Sequence, residues 1–295
     1  MRIGAHMSVA GGVSKAVERA VLHGCEALQI FTKNSNQWRA RPLEPEEVRT
    51  FRRGVEAAGL TPVVSHASYL INMATAIEPL RAQSRDALLD ELDRAEALGL
   101  LGVVIHPGTC TSGTEDEALD AVASMIAEAF ASRPGYRCRL LLEHTAGQGR
   151  TIGYRFEHLA HILERLDGSP RVGVCLDTCH LLASGYDLVS DDGFRDTLAS
   201  FAALVGLDRL AVVHGNDSKK PRGSRVDRHE HIGDGHVGLG PFRRLLRDPR
   251  LASVPMLIET EKSRGAERAG AISLDPFDVR NLETLRSLRD GSAPS

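Results

Sequence analysis

The sequence predicts an α/β fold, a single (β/α)8 barrel of the TIM type with its site at the C-terminal ends of the strands. Three observations predict it. Eight short apolar runs recur along the 295 residues. A segment with helical spacing follows each run. Six consecutive runs, from the third to the eighth, close on an imidazole or a carboxylate.

The runs are Arg2–Ser8, Ala27–Lys33, Pro62–Ser68, Gly102–Gly108, Arg139–Thr145, Val172–His180, Arg209–Asp217 and Pro255–Thr260. Most are nearly continuous in apolar residues, as expected of parallel strands covered by helices on their outer face. Between them, Pro79–Leu98 carries Leu80, Ala87, Leu88, Leu92, Ala95 and Leu98 at three- and four-residue steps, with Pro79 as a start signal and Gly99 as a stop. Glu115–Ala131 and Tyr154–Leu166 behave likewise. Eight such units with right-handed crossovers close into a barrel; an open doubly wound sheet is the alternative, and the strand count favours closure. The barrel domain is expected to span 1–289, with a surface loop at Ser263–Leu274 and a short disordered tail over 290–295. Two connections are longer than a plain barrel needs, Lys33–Pro45 and Asp217–Gly240, and long loops on this face are where function usually resides.

Bulk properties exclude some classes. A 42% hydrophobic, 25% charged chain is ordinary for a globular protein with a full core. No run of 18 or more apolar residues offers a membrane span. The opening MRIGAHMSVAGG has no basic region followed by an apolar one, so no leader is expected. Cys25, Cys110, Cys138, Cys175 and Cys179 are odd in number and scattered, which suits free thiols in a reducing, cytoplasmic setting. The net charge of −3 does not by itself suggest a nucleic-acid binder.

The metal-capable side chains carry the most information. His66, His106 and Glu143 close the third, fourth and fifth runs. Asp177 and His180 close the sixth, His214 the seventh and Glu259 the eighth, and Asp227 and His229 lie in the long loop after the seventh. Gathering that many bases and charges at one concave face makes little physical sense unless cations neutralise them. Imidazole and carboxylate ligands without thiolate suit Zn2+, with Mn2+ or Fe2+ as alternatives. Nine ligands exceed the three or four that one ion takes; three ions sharing a carboxylate fit. Three divalent ions would also turn a formal −3 into about +3, which removes the charge objection.

With IGAHMSVAGG, FTKN, QWRA, HASYLIN, LLEHTAGQG, VGVCLDTCH, HGNDSK and GSRVDRHEHIGDG in place, the chain resembles the endonuclease IV family of metal-dependent apurinic/apyrimidinic endonucleases along essentially its whole length. The resemblance implies a first metal on His66, His106 and Glu143. Glu143 then bridges to a second completed by Asp177, His214 and Glu259, and His180, Asp227 and His229 hold a third. It implies hydrolysis of the phosphodiester bond 5′ to an abasic site in duplex DNA, leaving a 3′-hydroxyl and a 5′-deoxyribose phosphate, with 3′-end-cleaning diesterase activity besides. Glu143, Asp177 and Glu259 are then the catalytic carboxylates, Glu143 positioning the attacking hydroxide. Tyr69 and Leu70 are implied wedges that enter the base stack as the abasic nucleotide is extruded.

Basic residues of the two long loops, Lys33, Arg39, Arg41, Lys219, Lys220, Arg222, Arg225 and Arg228, read as phosphate contacts that position a duplex without reading its sequence. Trp38 and Gln37 neighbour them. Asn36 stands where the family often has arginine, and lacks its charge and reach; His144 stands where asparagine is more usual. The competing enzyme is a metal-dependent sugar isomerase or epimerase on the same barrel. It would use Glu143, Asp177, His214 and Glu259 and leave five ligands idle. A non-catalytic damage binder would lack ligands, and none is missing. A monomer needing no obligate protein partner is the default, because the mouth must stay open for a duplex.

Overall fold

The computed structural model describes residues 1–263 and 272–291. The first half of the chain runs β1 (Ile3–His6), α1 (Val13–Leu22), β2 (Ala27–Phe31), α2 (Pro45–Ala58), β3 (Val63–His66), α3 (Leu80–Leu98), β4 (Gly102–Ile105) and α4 (Glu115–Ser132). Next come β5 (Arg139–Glu143), α5 (Phe156–Arg165), β6 (Val172–Asp177), α6 (Thr178–Ser184), α7 (Asp191–Leu204) and β7 (Leu210–His214). A two-stranded hairpin, β8 (Asp217–Ser218) and β9 (His229–Glu230), precedes α8 (Leu239–Arg247), β10 (Met256–Ile258) and α9 (Pro276–Asp290). Eight strands form one closed parallel barrel in the order β1-β10-β7-β6-β5-β4-β3-β2. The pairing of Ile3 with Met256 closes the ring, which rules out the open sheet.

Local chemistry sets the helix ends. Gly99 stops α3 in the left-handed conformation, φ 72°, where a side chain would be strained. Thr114 and Glu117 form a reciprocal capping box at the start of α4. Asp275 accepts from the backbone N–H groups of Phe277 and Asp278 ahead of Pro276 at the start of α9.

Buried side chains divide into two layers. The larger one lies between strands and helices and includes Leu28, Ile30, Val103, Leu140, Leu142, Val174 and Ile258. The smaller, Ala27, Val64, Val104, Leu141, Cys175, Ala211, Val212 and Leu257, fills the barrel itself. The barrel interior is thus a packed plug on which a polar layer can rest.

The sixth predicted run, Val172–His180, is not one strand: β6 ends at Asp177, whose carboxylate accepts from the N–H of His180 and caps α6. Asp290 is not in a loose tail but ends α9 and pairs with Arg289 at 2.9 Å, with Gly291 as the cap. The rest of the predicted tail, 292–295, and residues 264–271 of the predicted Ser263–Leu274 loop lie outside the described residues. Among the described residues, no helix is long and apolar enough to cross a membrane. All five cysteines are buried and free.

Candidate metal centre

Strand geometry places the ligands. Side chains alternate between the two faces of a strand, so the residue two positions beyond each barrel-filling side chain also points inward, one layer higher. Val64 is followed in this way by His66, Val104 by His106 and Leu141 by Glu143. Cys175 is followed by Asp177, Val212 by His214 and Leu257 by Glu259. His180 joins them from the first turn of α6, while Asp227 and His229 come over the top from the loop that carries β9.

These side chains form three groups whose ligand atoms lie within 4.8 Å of one another: His66–His106–Glu143, Glu143–Asp177–His214–Glu259, and His180–Asp227–His229. Glu143 belongs to two of them. Its Oε2 is 3.1 Å from Nε2 of both His66 and His106, and its Oε1 is 3.1 Å from Nδ1 of His214. His214 Nδ1 is in turn 3.2 Å from Glu259 Oε2 and 3.9 Å from Asp177 Oδ2. In the third group Asp227 lies 3.1 Å from His180 Nε2 and 3.4 Å from His229 Nε2.

The arrangement fits cations. His66 Nδ1 is 2.8 Å from the carbonyl of Ala67, and His180 Nδ1 is 2.9 Å from the carbonyl of His144. A carbonyl only accepts, so both Nδ1 atoms carry hydrogen and, in the neutral rings, both Nε2 atoms turn a lone pair toward a carboxylate. Nε2 of His180 and of His229 is buried with no hydrogen-bond partner among the described residues. Two electron-rich groups facing each other at about 3 Å need a proton or a metal ion between them.

No lysine or arginine among the described residues ion-pairs with Glu143, Asp177, Asp227 or Glu259; only imidazoles do. Burial alone would raise the Glu143 carboxyl, but His106 and His214 outweigh it and hold it well below the usual range. Glu259 is lowered in the same way, against burial, by His214 and His6, and Asp227 by His180. Burial opposes charge on His180 and His214 too. Asp177 and Asp227 nevertheless raise the first well above an ordinary histidine, and Glu259 and Glu143 raise the second. Cys175 and Cys179 approach the same ligands, and in the metal-free site burial pushes each thiol up to about 12.

Several supporting residues carried no sequence signal strong enough to single them out. Asn216 donates to Asp177 Oδ2 at 2.6 Å and accepts from the backbone N–H of Glu259 at 2.8 Å, coupling β6 to β10. Asp217, fully buried, accepts from the backbone N–H groups of Ser218, Gly233, Val237 and Gly238 and so folds the long loop around itself. Gln148 Oε1 accepts from the N–H of Asp227 at 3.2 Å, tying the β5 loop to the third group. His144 is buried against the stacked rings of Phe156 and Tyr186, its own ring pushed down to about 3 by burial and His180; its contribution is its carbonyl.

The residues expected at DNA divide. Tyr69 is 59% exposed at the rim, its ring 5.1 Å from that of His66 and 5.9 Å from that of His106, and Leu70 beside it is half-buried. Asn36, Arg39, Lys219 and Arg228 are exposed. Lys33, expected at phosphate, is instead buried, 2.7 Å from Asp90 and 3.6 Å from Glu91 on α3, so its ammonium anchors the loop base and does not face solvent. Trp38 is half-buried against the core next to α3. Arg225 is exposed but engaged, with its guanidinium 4.2 Å over the Tyr154 ring and Nε donating to the Gly147 carbonyl.

Comparison with known proteins agrees with this geometry. A family model described as a xylose isomerase-like TIM barrel matches residues 17–277. A "Probable endonuclease 4" of Citrifermentans bemidjiense is 45% identical over 289 residues, covering 98% of this chain and 99% of the relative. One of Chloroflexus aurantiacus is 46% identical over 291 residues, 99% of each. The crystal structure of endonuclease IV from Thermus thermophilus superposes with a TM-score of 0.86 at 38% identity, covering 99% of this chain and 100% of that one. A D-tagatose 3-epimerase-like protein shares the fold at a TM-score of 0.73 and 19% identity. With a family model over residues 17–277 and relatives of this identity along its whole length, the chain belongs to the endonuclease IV family of enzymes.

Proposed function

We propose that this protein is an apurinic/apyrimidinic endonuclease: it hydrolyses the phosphodiester bond 5′ to an abasic nucleotide in duplex DNA, leaving a 3′-hydroxyl and a 5′-deoxyribose phosphate. The same chemistry extends to blocked 3′ ends. The observation that carries the reading is Glu143, one buried carboxylate shared by two ligand groups, with a third group within reach of its partners. The endonuclease 4 relatives support the reaction class. When bound, three zinc ions would supply Lewis acidity, lower the pKa of water and balance the charge of a phosphodiester in transition.

The chain's own residues do the rest. Glu143 joins the first two groups and sets their separation, Asp177, His214 and Glu259 complete the second, and His180, Asp227 and His229 hold the third. Tyr69 and Leu70, at the rim beside His66, suit a gap in the base stack, where extrusion costs least because no base pairs there. Arg39, Lys219 and Arg228, exposed on the two long loops, would meet backbone phosphates. A sugar epimerase on this barrel would need only the second group and would leave His66, His106, His180, Asp227 and His229 without a task.

Metal analysis and an incision assay on a duplex with one abasic site test the reading together. The expected result is about three ions per chain and, in Glu143→Gln, incision reduced by at least about 100-fold, since even an outer-shell partner of a metal ligand is worth 10- to 100-fold. One ion per chain, or near-normal incision by the variant, would overturn it.

A further inference from the structure

The ligand layer is explained by the metals it would hold, but two neighbouring strands of the barrel, β1 and β2, contribute no ligand to it. At the corresponding level β2 presents Gln29, two residues beyond Ala27 of the barrel-filling layer and fully buried. We propose that Gln29 is a positioning residue for the second metal group: its one carboxamide fixes the ring of His214 and the carboxylate of Glu259 so that both turn a lone pair to the same ion. The inference rests on the metal reading above and concerns a residue in none of the ligand groups.

The geometry uses every hydrogen-bonding group of the amide. Oε1 is 2.8 Å from Nε2 of His214. Nε2 donates one hydrogen to Oε1 of Glu259 and the other to Nδ1 of His6 at 3.0 Å. Because Oε1 can only accept, His214 carries a hydrogen on Nε2, so in the neutral ring the lone pair is on Nδ1, directed at Glu143 Oε1 and Glu259 Oε2, 3.1 and 3.2 Å away. With Oε1 of Glu259 occupied by Gln29, Oε2 is the oxygen free for a cation.

The device is specific to one group. His66 and His180 are oriented by backbone carbonyls, those of Ala67 and His144. His214 is oriented by a side chain. Changing Gln29 therefore affects the second group while leaving the other two their own supports. Methionine keeps the volume and loses all three hydrogen bonds. Glutamate keeps an acceptor for His214 but sets a second carboxylate against Glu259.

The test is zinc binding to metal-free protein, measured by competition with a chromophoric chelator for wild type, Gln29→Met and Gln29→Glu, with thermal unfolding of each metal-free form as the folding control. Expected are three zinc ions in wild type. Both variants should keep two of them at wild-type affinity and bind the remaining one 10- to 100-fold more weakly, the range typical of lost outer-shell partners. Gln29→Met binding all three ions as wild type does, or losing affinity equally at all of them, would overturn the assignment, the latter because it describes a packing residue. Should Gln29→Met not fold, the near-isosteric Gln29→Glu carries the same comparison. Failure of the metal reading itself would show separately, as one ion or none in the wild-type titration.

Discussion

Lys33 and Glu143 are both charged residues at the ends of barrel strands, and their fates differ because of what faces them. Lys33 follows β2 toward a solvent loop in sequence, but Asp90 and Glu91 on α3 draw its ammonium inward. Glu91 is buried, and burial pushes its carboxyl up even though Lys33 opposes this. Lys33→Met should therefore strand an unpaired buried carboxyl and cost about 3 kcal/mol of stability, as breaking a buried pair does. Denaturant unfolding measures that loss, and the salt dependence of duplex binding should stay as in wild type. A reduced salt slope with unchanged stability would return Lys33 to the DNA interface. Seven of the nine candidate ligands were legible as residues because imidazoles and carboxylates at the ends of apolar runs are conspicuous, and Asp227 and His229 stood out in the long loop after the seventh run. Gln29 and Asn216 were not: a neutral amide in or after a strand reads as filler until its partners in distant strands are known.

At the level of elements, the eight strands and the long helices could be read from pattern and caps, as with Gly99 ending α3. The alternation that aims the ligands was hidden, because the outer face of each strand is as apolar as the inner one: Leu140, Leu141 and Leu142 are all buried, yet only Leu141 fills the barrel. The short helix α6 was hidden for another reason. Asp177 ends a strand and caps a helix with the same carboxylate, so seven residues of helix follow with no intervening turn signal. The β8–β9 hairpin is the element most dependent on a single residue. Asp217 accepts four backbone N–H groups, with Ser218 and Val237 both at 2.7 Å, and β9 carries His229. Asp217→Asn would turn an amide donor toward some of those N–H groups. The expected cost is about 1.5–3 kcal/mol, the range for hydrogen bonds to a charged group. The hairpin should loosen first, so zinc analysis should show loss of one ion per chain before global stability fails. Three retained ions with the full stability loss would mean that the loop does not depend on Asp217.

Across the whole molecule, the ends of the chain are tied together and the ligands of the mouth are charged against one another. Ile3 pairs with Met256, and Arg289 on the last helix meets Glu26 at 2.7 Å and the carbonyl of Met1 at 3.2 Å. Inside that closed frame, the metal-free site balances its carboxylates with protons on histidine. His66, His180 and His214 are raised above 6.5 despite burial, by Glu143 for the first, by Asp177 and Asp227 for the second, and by Glu259 and Glu143 for the third. Their contribution to stability is complete below the unfolded value and is lost as pH rises through the raised folded values. Glu143, Glu259 and Asp227 are lowered, so theirs is present above the unfolded carboxyl values and is lost as pH falls through the lowered ones. His144, pushed down to about 3, and His6 and His158, also lowered by burial, act in the opposite sense below 6.5, so metal-free protein should be most stable near about pH 6.5 and weaken above it. Metal binding has the opposite slope, because each ion must displace the histidine protons and binds more tightly as they leave. The difference in melting temperature between zinc-loaded and chelator-stripped protein should accordingly widen from about pH 6 to about pH 8. Thermal unfolding of both forms at the two pH values measures it. A constant gap would mean that protons and metals do not compete for the same imidazoles, and that the lone pairs facing Glu143 and Asp227 are not the ones that bind metal.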